Sequence, residues 1–247
     1  MILKRKIYKK LLEWKKECQG KKALLIEGAR RIGKSTICEE FGKSEYKSFL
    51  LIDFAKKDKE VEGYFEKYLN DLDTFFMLLQ THFGTKLTER NSLIIFDEVQ
   101  MFPQARAAIK YLVADGRYDY IETGSLISIR ENVKNIVIPS EERHINMYPL
   151  DFEEFAIALE EDLLVEYIKK CFEKREPLER SMHNQAMLLF HQYMLVGGMP
   201  MPVVTFIESK KDFTEADREK RDILKLYRED IMKIDAKYRS KVLAIYD

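Results

Sequence analysis

Cysteine is scarce in this chain. Cys18, Cys38 and Cys171 are all it has, too few and too scattered for a disulfide framework or a thiolate metal site. That usage suits a reducing compartment. No apolar stretch approaches the roughly 18 residues of a membrane span, and the first residues lack the apolar core of a signal peptide. The expectation is a soluble cytoplasmic protein with no membrane partner. Net charge is missing as well, with 42 Lys+Arg against 42 Asp+Glu, so the molecule as a whole gives no electrostatic case for nucleic acid. His82, His144, His183 and His191 lack metal-ligand spacing. There is no internal repeat and no low-complexity tract.

What is present fits a globular protein: 46% apolar and 12% aromatic residues over 247 positions, enough for one α/β domain and a smaller appendage. The charge is unevenly placed. Residues 1–22 hold nine basic groups against Glu13 and Glu17, a local +7 offset by −7 in the remainder. Ile7, Leu11, Trp14 and Cys18 recur at helical spacing, so the segment reads as a surface helix with a lysine-rich outer side rather than a nucleic-acid arm.

The most informative stretch follows the apolar run Ala23-Leu24-Leu25-Ile26. Gly28-Ala29-Arg30-Arg31-Ile32-Gly33-Lys34-Ser35-Thr36 fits the phosphate-loop pattern, with a strand before it and helical sequence after it. Glycines let backbone N–H groups turn inward around phosphate oxygens. Lys34 reaches the terminal phosphates, the Ser35 hydroxyl suits Mg²⁺, and the N-terminus of the next helix favours the same anion. The pattern predicts binding of a nucleoside triphosphate. Ala55-Lys56-Lys57-Asp58 lacks the asparagine of a guanine-reading motif.

Strand and helix patterns alternate over residues 1–150. Strands are expected at 23–28, 47–54, 92–99 and 118–123, with helices at 34–41 (stopped by Gly42), 58–69, 71–83 and 103–115. Residues 135–138 and 144–148 suggest a fifth strand and its hairpin. From Asp151 to residue 247 the pattern is helix after helix. Phe152, Phe155, Leu159 and Leu163 space one; Met187 to Met194 lie on another; Gly197-Gly198-Met199-Pro200 breaks the chain. Thr214 with Asp217 resembles a helix N-cap. The segment 237–247 ends without a cap, which suggests a piece of a longer protein.

Strand three ends in Asp97 and Glu98. A buried parallel strand delivers its last side chains to the sheet edge where a phosphate loop lies. Asp97 is then placed for Mg²⁺, and Glu98 for taking a proton from an attacking water. Strand four ends Thr123-Gly124-Ser125, whose hydroxyls fall between Lys34 and Glu98 as candidate γ-phosphate sensors. A strand with its helices separates the loop strand from the Asp-Glu strand, which marks the hydrolytic ASCE division of P-loop proteins and predicts a parallel sheet of order 5-1-4-3-2. Among the arginines, Arg143 is the favoured candidate for neutralising transition-state charge, acting across a subunit boundary.

Residues 28–35, Leu93-Ile-Ile-Phe-Asp-Glu-Val-Gln100, Glu122-Thr-Gly-Ser125, Asn146–Phe155 and Leu195–Pro200 together resemble the prokaryotic AAA+ ATPases of archaeal type. The resemblance runs from about Arg5 to the end. It implies ATP hydrolysis with Mg²⁺ as cofactor, assembly with further copies, and a lid or winged-helix-like region after the core. Glu142-Arg143-His144 stands where many relatives carry Gly-Arg. Three readings follow in order: an ATPase coupled to a helical lid or partner, a nucleotide-gated module binding DNA or protein, and a small-molecule kinase.

Overall fold

The computed structural model describes residues 1–125, 140–232 and 236–246. Packing divides the chain into two units, Arg5–Tyr148 and Met1–Lys4 with Pro149–Asp247.

The first unit is built on five strands: β1 Ala23–Glu27, β2 Ser48–Asp53, β3 Ser92–Asp97, β4 Asp119–Gly124 and β5 Glu142–Asn146. All pair in parallel, in the order β2-β3-β4-β1-β5. Read from the other edge this is the expected 5-1-4-3-2. β1 and β3 are nearly continuous apolar runs because helices cover both faces, whereas β4 between them carries Asp119, Glu122 and Thr123, all buried. α1 (Ile7–Cys18) and α2 (Lys34–Glu45) lie on one face. Ile7, Leu11, Trp14 and Cys18 form the buried side of α1, as their spacing predicts. α3 (Lys59–Tyr68), α4 (Leu72–Phe83) and α5 (Pro103–Asp115) cover the other face. Asp58 and Asp71 accept backbone N–H bonds as the N-caps of α3 and α4, while Pro103 opens α5 at the position where its missing N–H costs nothing.

Two expectations are corrected here. Gly42 does not stop α2, which continues to Glu45. A Cβ at Gly42 would lie 2.8 Å from the Phe49 ring, so this glycine permits close packing of helix on strand. The last strand runs Glu142–Asn146 and pairs parallel to β1; residues 135–138, the expected hairpin partner, lie outside the described residues.

The second unit is helical throughout its described residues: α6 Phe152–Ala158, α7 Asp162–Lys174, α8 Arg180–Val196, α9 Pro200–Glu208, α10 Phe213–Ile231 and α11 Ala236–Tyr246. Leu159 and Leu163 do not continue one helix with Phe152. The chain turns at Glu160, whose φ is +65°, and Leu163 is exposed. Met187 and Met194 likewise face solvent, and α8 buries Ala186, Leu189 and Val196 instead. The cap of α10 is Asp212, which accepts from the Thr214 N–H at 2.8 Å; the Asp217 carboxylate pairs with Arg221 and Lys220. The break at Gly197 and Gly198 is as expected. Gly197 has φ +80°, and a Cβ on Gly198 would strike the Leu150 carbonyl oxygen at 2.1 Å. No single described helix is long and apolar enough to cross a membrane.

The core between the sheet and α3–α5 centres on Phe65, whose ring lies 5.0–5.8 Å from those of Phe54, Phe75, Phe96 and Phe102. Phe65→Ala is expected to lower stability by about 3–5 kcal/mol through lost burial and the cavity left behind. Urea unfolding checks it; a loss below about 1 kcal/mol would show that the cluster repacks.

Candidate functional site

β1 ends at Glu27, and the chain turns through residues 28–33 into α2. Gly33 takes φ +90°, and Arg31 takes φ +63°. The left-handed values curl the loop so that its backbone N–H groups can share one concave side. Gly28 is required for a second reason. The strand segment after β5 passes directly over it, and a Cβ there would lie 2.4 Å from the Met147 carbonyl oxygen. Met147 N–H in turn bonds the Glu27 carbonyl at 2.8 Å.

Lys34 opens α2 yet is only 5% exposed. Its ammonium donates to the carbonyl oxygens of Gly28 (3.1 Å) and Ala29 (2.8 Å). Burial pulls its pKa below the ordinary lysine range, while the carboxylates of Glu98 and Asp97 act against that fall. Ala29, Arg30, Arg31 and Thr36 are exposed on the outside of the loop, and Ile32 is buried beneath it.

The acidic end of β3 meets the start of α2 and the end of β4. Ser35 Oγ donates to Asp97 Oδ1 at 2.8 Å. Thr123 Oγ1 donates to the same oxygen and accepts the Glu98 backbone N–H at 3.2 Å. Glu98 holds φ +52°, a left-handed conformation that a glutamate adopts only under restraint. Its carboxylate accepts a hydrogen bond from the Gln100 amide. Ser125 is buried at the end of β4.

The structure therefore brings together Gly28, Gly33, Lys34, Ser35, Asp97, Glu98 and Thr123 at the carboxyl edge of the sheet. It leaves Arg143 apart. That residue lies level with Leu24, at the opposite end of β1, and pairs with Glu17 of α1 at 2.7 Å. Arg5 and Gln100 went unread in the sequence. Arg5 is one of nine basic groups near the N-terminus there, but in the fold it donates to the Ile32 carbonyl at 3.0 Å and to Tyr148 O. Only tertiary structure shows that reach. Gln100 could have been noticed, two residues after Glu98 in a short turn.

The donor set fits a magnesium–triphosphate. Ser35 and Asp97 offer adjacent hard oxygens, which Mg²⁺ prefers, and the glycine-lined loop ends in a buried ammonium suited to phosphate. Among the described residues no group of three His, Cys, Asp or Glu forms a metal cage, and the three cysteines are buried free thiols.

Among solved structures the chain is similar to C. elegans PCH-2, at 12% identity and a TM-score of 0.43, covering 87% of this chain and 65% of that one. It is also similar to the Aeropyrum pernix ORC1 protein solved in complex with DNA, at 10% identity and a TM-score of 0.38, covering 79% and 68%. The chain thus spans just under two thirds of the PCH-2 chain. No curated protein matches it. The family model described as "AAA domain" matches residues 20–156, more than half of the chain and all five strands with the loop between them. The chain belongs to the AAA domain family of P-loop ATPases.

Proposed function

We propose that this protein binds Mg–ATP in the cytoplasm and hydrolyses it, and that turnover is coupled to a change in its helical unit. The observation that carries the reading is the chain of hydrogen bonds from Glu98 N–H through Thr123 Oγ1 to Asp97 Oδ1, which also accepts from Ser35. It sets a metal-type oxygen pair and a carboxylate held by the Gln100 amide beside a buried phosphate-type lysine.

Lys34 exchanges its two carbonyl partners for phosphate oxygens when nucleotide enters. Ser35 and Asp97 hold the metal, which when bound neutralises phosphate charge. Loop amides of residues 28–36 position the triphosphate. Glu98 turns from Gln100 toward water and accepts its proton, a step worth roughly 10²–10⁴ in rate. Thr123 and Ser125 report the terminal phosphate. Arg143, far from Lys34 in its own copy, serves only a neighbouring one, so its role requires a homo-oligomer. The route to the helical unit is the segment after β5: Met147 rests on Gly28, and Arg5 ties Ile32 to Tyr148. The helical unit begins at the next residue.

A second reading is a slow nucleotide-gated module that contacts DNA or a protein. The exposed lysines of α1, among them Lys9, Lys10 and Lys16, favour it. A gel-shift assay with and without ATP decides: binding that ignores nucleotide removes this reading.

Glu98→Gln is expected to leave ATP affinity within about threefold and to cut phosphate release at least 100-fold, in line with loss of a general base; calorimetry and a phosphate assay read the two. Unchanged release ends the proposal. Lys34→Ala is expected to weaken Mg–ATP binding by at least tenfold, a loss of about 1.4 kcal/mol or more. The measurement is titration calorimetry on protein whose folding is verified by circular dichroism, and equal affinity would count against the loop as the binding site.

A further inference from the structure

The opposite face of the sheet carries a largely buried polar cluster that the proposed reaction does not use. Strand neighbours point to opposite faces, so when Thr123 points to the phosphate loop, Glu122 points toward α5. Glu122 is fully buried; no donor among the described residues reaches its carboxyl oxygens, and its side-chain partner is the Glu142 carboxyl, with which it shares a hydrogen bond only when one of the two is protonated. Beside it Arg106 of α5, 2% exposed, gives its fork to Glu142 of β5: Nε to Oε1 at 3.1 Å and a terminal nitrogen to Oε2 at 2.8 Å. The remaining nitrogen of Arg106 is buried without a hydrogen-bond partner among the described residues. His144 of β5 stands 3.2 Å from Glu142 and 3.5 Å from Glu27 of β1. The cluster thus sets three carboxyl groups, one guanidinium and one imidazole among α5, β1, β4 and β5.

We propose that Glu122 is a positioning residue for the phosphate-loop site: its carboxyl pins the end of β4, and through it Thr123, for as long as it keeps its proton. The inference rests on the ATPase reading above. Arg106 gives its hydrogen bonds to Glu142, so a second anion beside them shares the guanidinium's charge but receives none of its hydrogen bonds, and burial with so little pairing disfavours the ionised form. Burial and the neighbouring Glu142 both raise the Glu122 pKa well above the usual carboxylate range, against the pull of Arg106. Once Glu122 ionises, it repels Glu142 across β1. The strand end that yields carries Thr123, the hydroxyl on which both Asp97 and the Glu98 backbone depend.

The sign follows directly. A carboxyl whose folded pKa lies above its unfolded value contributes stability at low pH and loses it as pH rises through the folded pKa. Wild-type turnover and thermal midpoint should both fall toward alkaline pH. Any alkaline loss of the Lys34 proton is common to wild type and variant.

The test compares full-length wild type with Glu122→Gln, which keeps the shape and has no proton to lose. At neutral pH the variant should hydrolyse ATP within about twofold of wild type. One pH unit above the midpoint of the wild-type fall it should exceed wild type by about tenfold, because only about a tenth of a carboxyl keeps its proton there, and its thermal midpoint should fall less with pH. Infrared spectra of wild type at neutral pH should contain a protonated-carboxyl band that fades over the range where turnover falls. Superimposable pH profiles for the two proteins, or no such band in wild type, would overturn the inference. A wild type that hydrolyses no ATP would instead end the parent reading, and the band and the unfolding profiles would still decide the state of Glu122. If Glu122→Gln does not fold, the wild-type infrared titration alone keeps the inference falsifiable.

Discussion

One carboxylate oxygen organises the candidate site. Asp97 Oδ1 accepts from Ser35 on α2 and Thr123 on β4 while sitting at the end of β3, so three elements meet on a single atom. The parallel register makes this possible: β3 pairs with β4 from Leu93↔Asp119 to Phe96↔Glu122, which brings Asp97 and Thr123 level one residue on. A slip of one residue would turn Thr123 to the other face and leave Asp97 with one partner. Thr123 also holds the Glu98 N–H, and with it a backbone conformation that costs about 1–3 kcal/mol when unsupported. The sheet order and the strained glutamate are therefore one constraint seen at two scales.

Charge burial explains how the two faces of the sheet differ. On the α2 face, Lys34 lies near Asp97 and Glu98, so cation and anions offset one another. On the α5 face a single guanidinium serves Glu142 with Glu122 alongside. The first arrangement is ready to exchange internal partners for a ligand, because Lys34 holds two loop carbonyls that hydration or phosphate could replace. The second is largely buried and sets its one guanidinium between two carboxyls. Both clusters share β4, whose residues Glu122 and Thr123 belong to one each.

The sheet and most of the site were legible because they rest on short-range pattern. Apolar runs ending in Glu27 and Asp97, glycines at fixed spacing and the Pro103 helix start are local signals, and local signals survive without a structure. What escaped depends on tertiary approach. Gly42 looked like a helix stop, yet its lack of a side chain answers to Phe49 on the next strand. The periodicity of Phe152, Phe155, Leu159 and Leu163 looked like one helix, but the left-handed Glu160 divides it and turns Leu163 outward. Arg5 sat in a run of surface lysines and reaches two carbonyls distant in sequence. Glu122 drew no role of its own beyond the Glu122–Ser125 stretch, since nothing in one sequence shows which neighbours share its face.

Two glycines that were read in the sequence have a tertiary reason that was not. Gly28 and Gly198 both admit a carbonyl oxygen closer than any Cβ would allow, Met147 O in one case and Leu150 O in the other. These two carbonyls lie three residues apart, on the stretch that ends the first unit and begins the second. A stretch packed by backbone contact at both ends has little room to adjust through side-chain rotamers. A displacement of Gly28 would therefore be met by Met147 as backbone. Side-chain contacts can absorb such a movement by changing rotamer. A carbonyl seated against glycine has no rotamer to change.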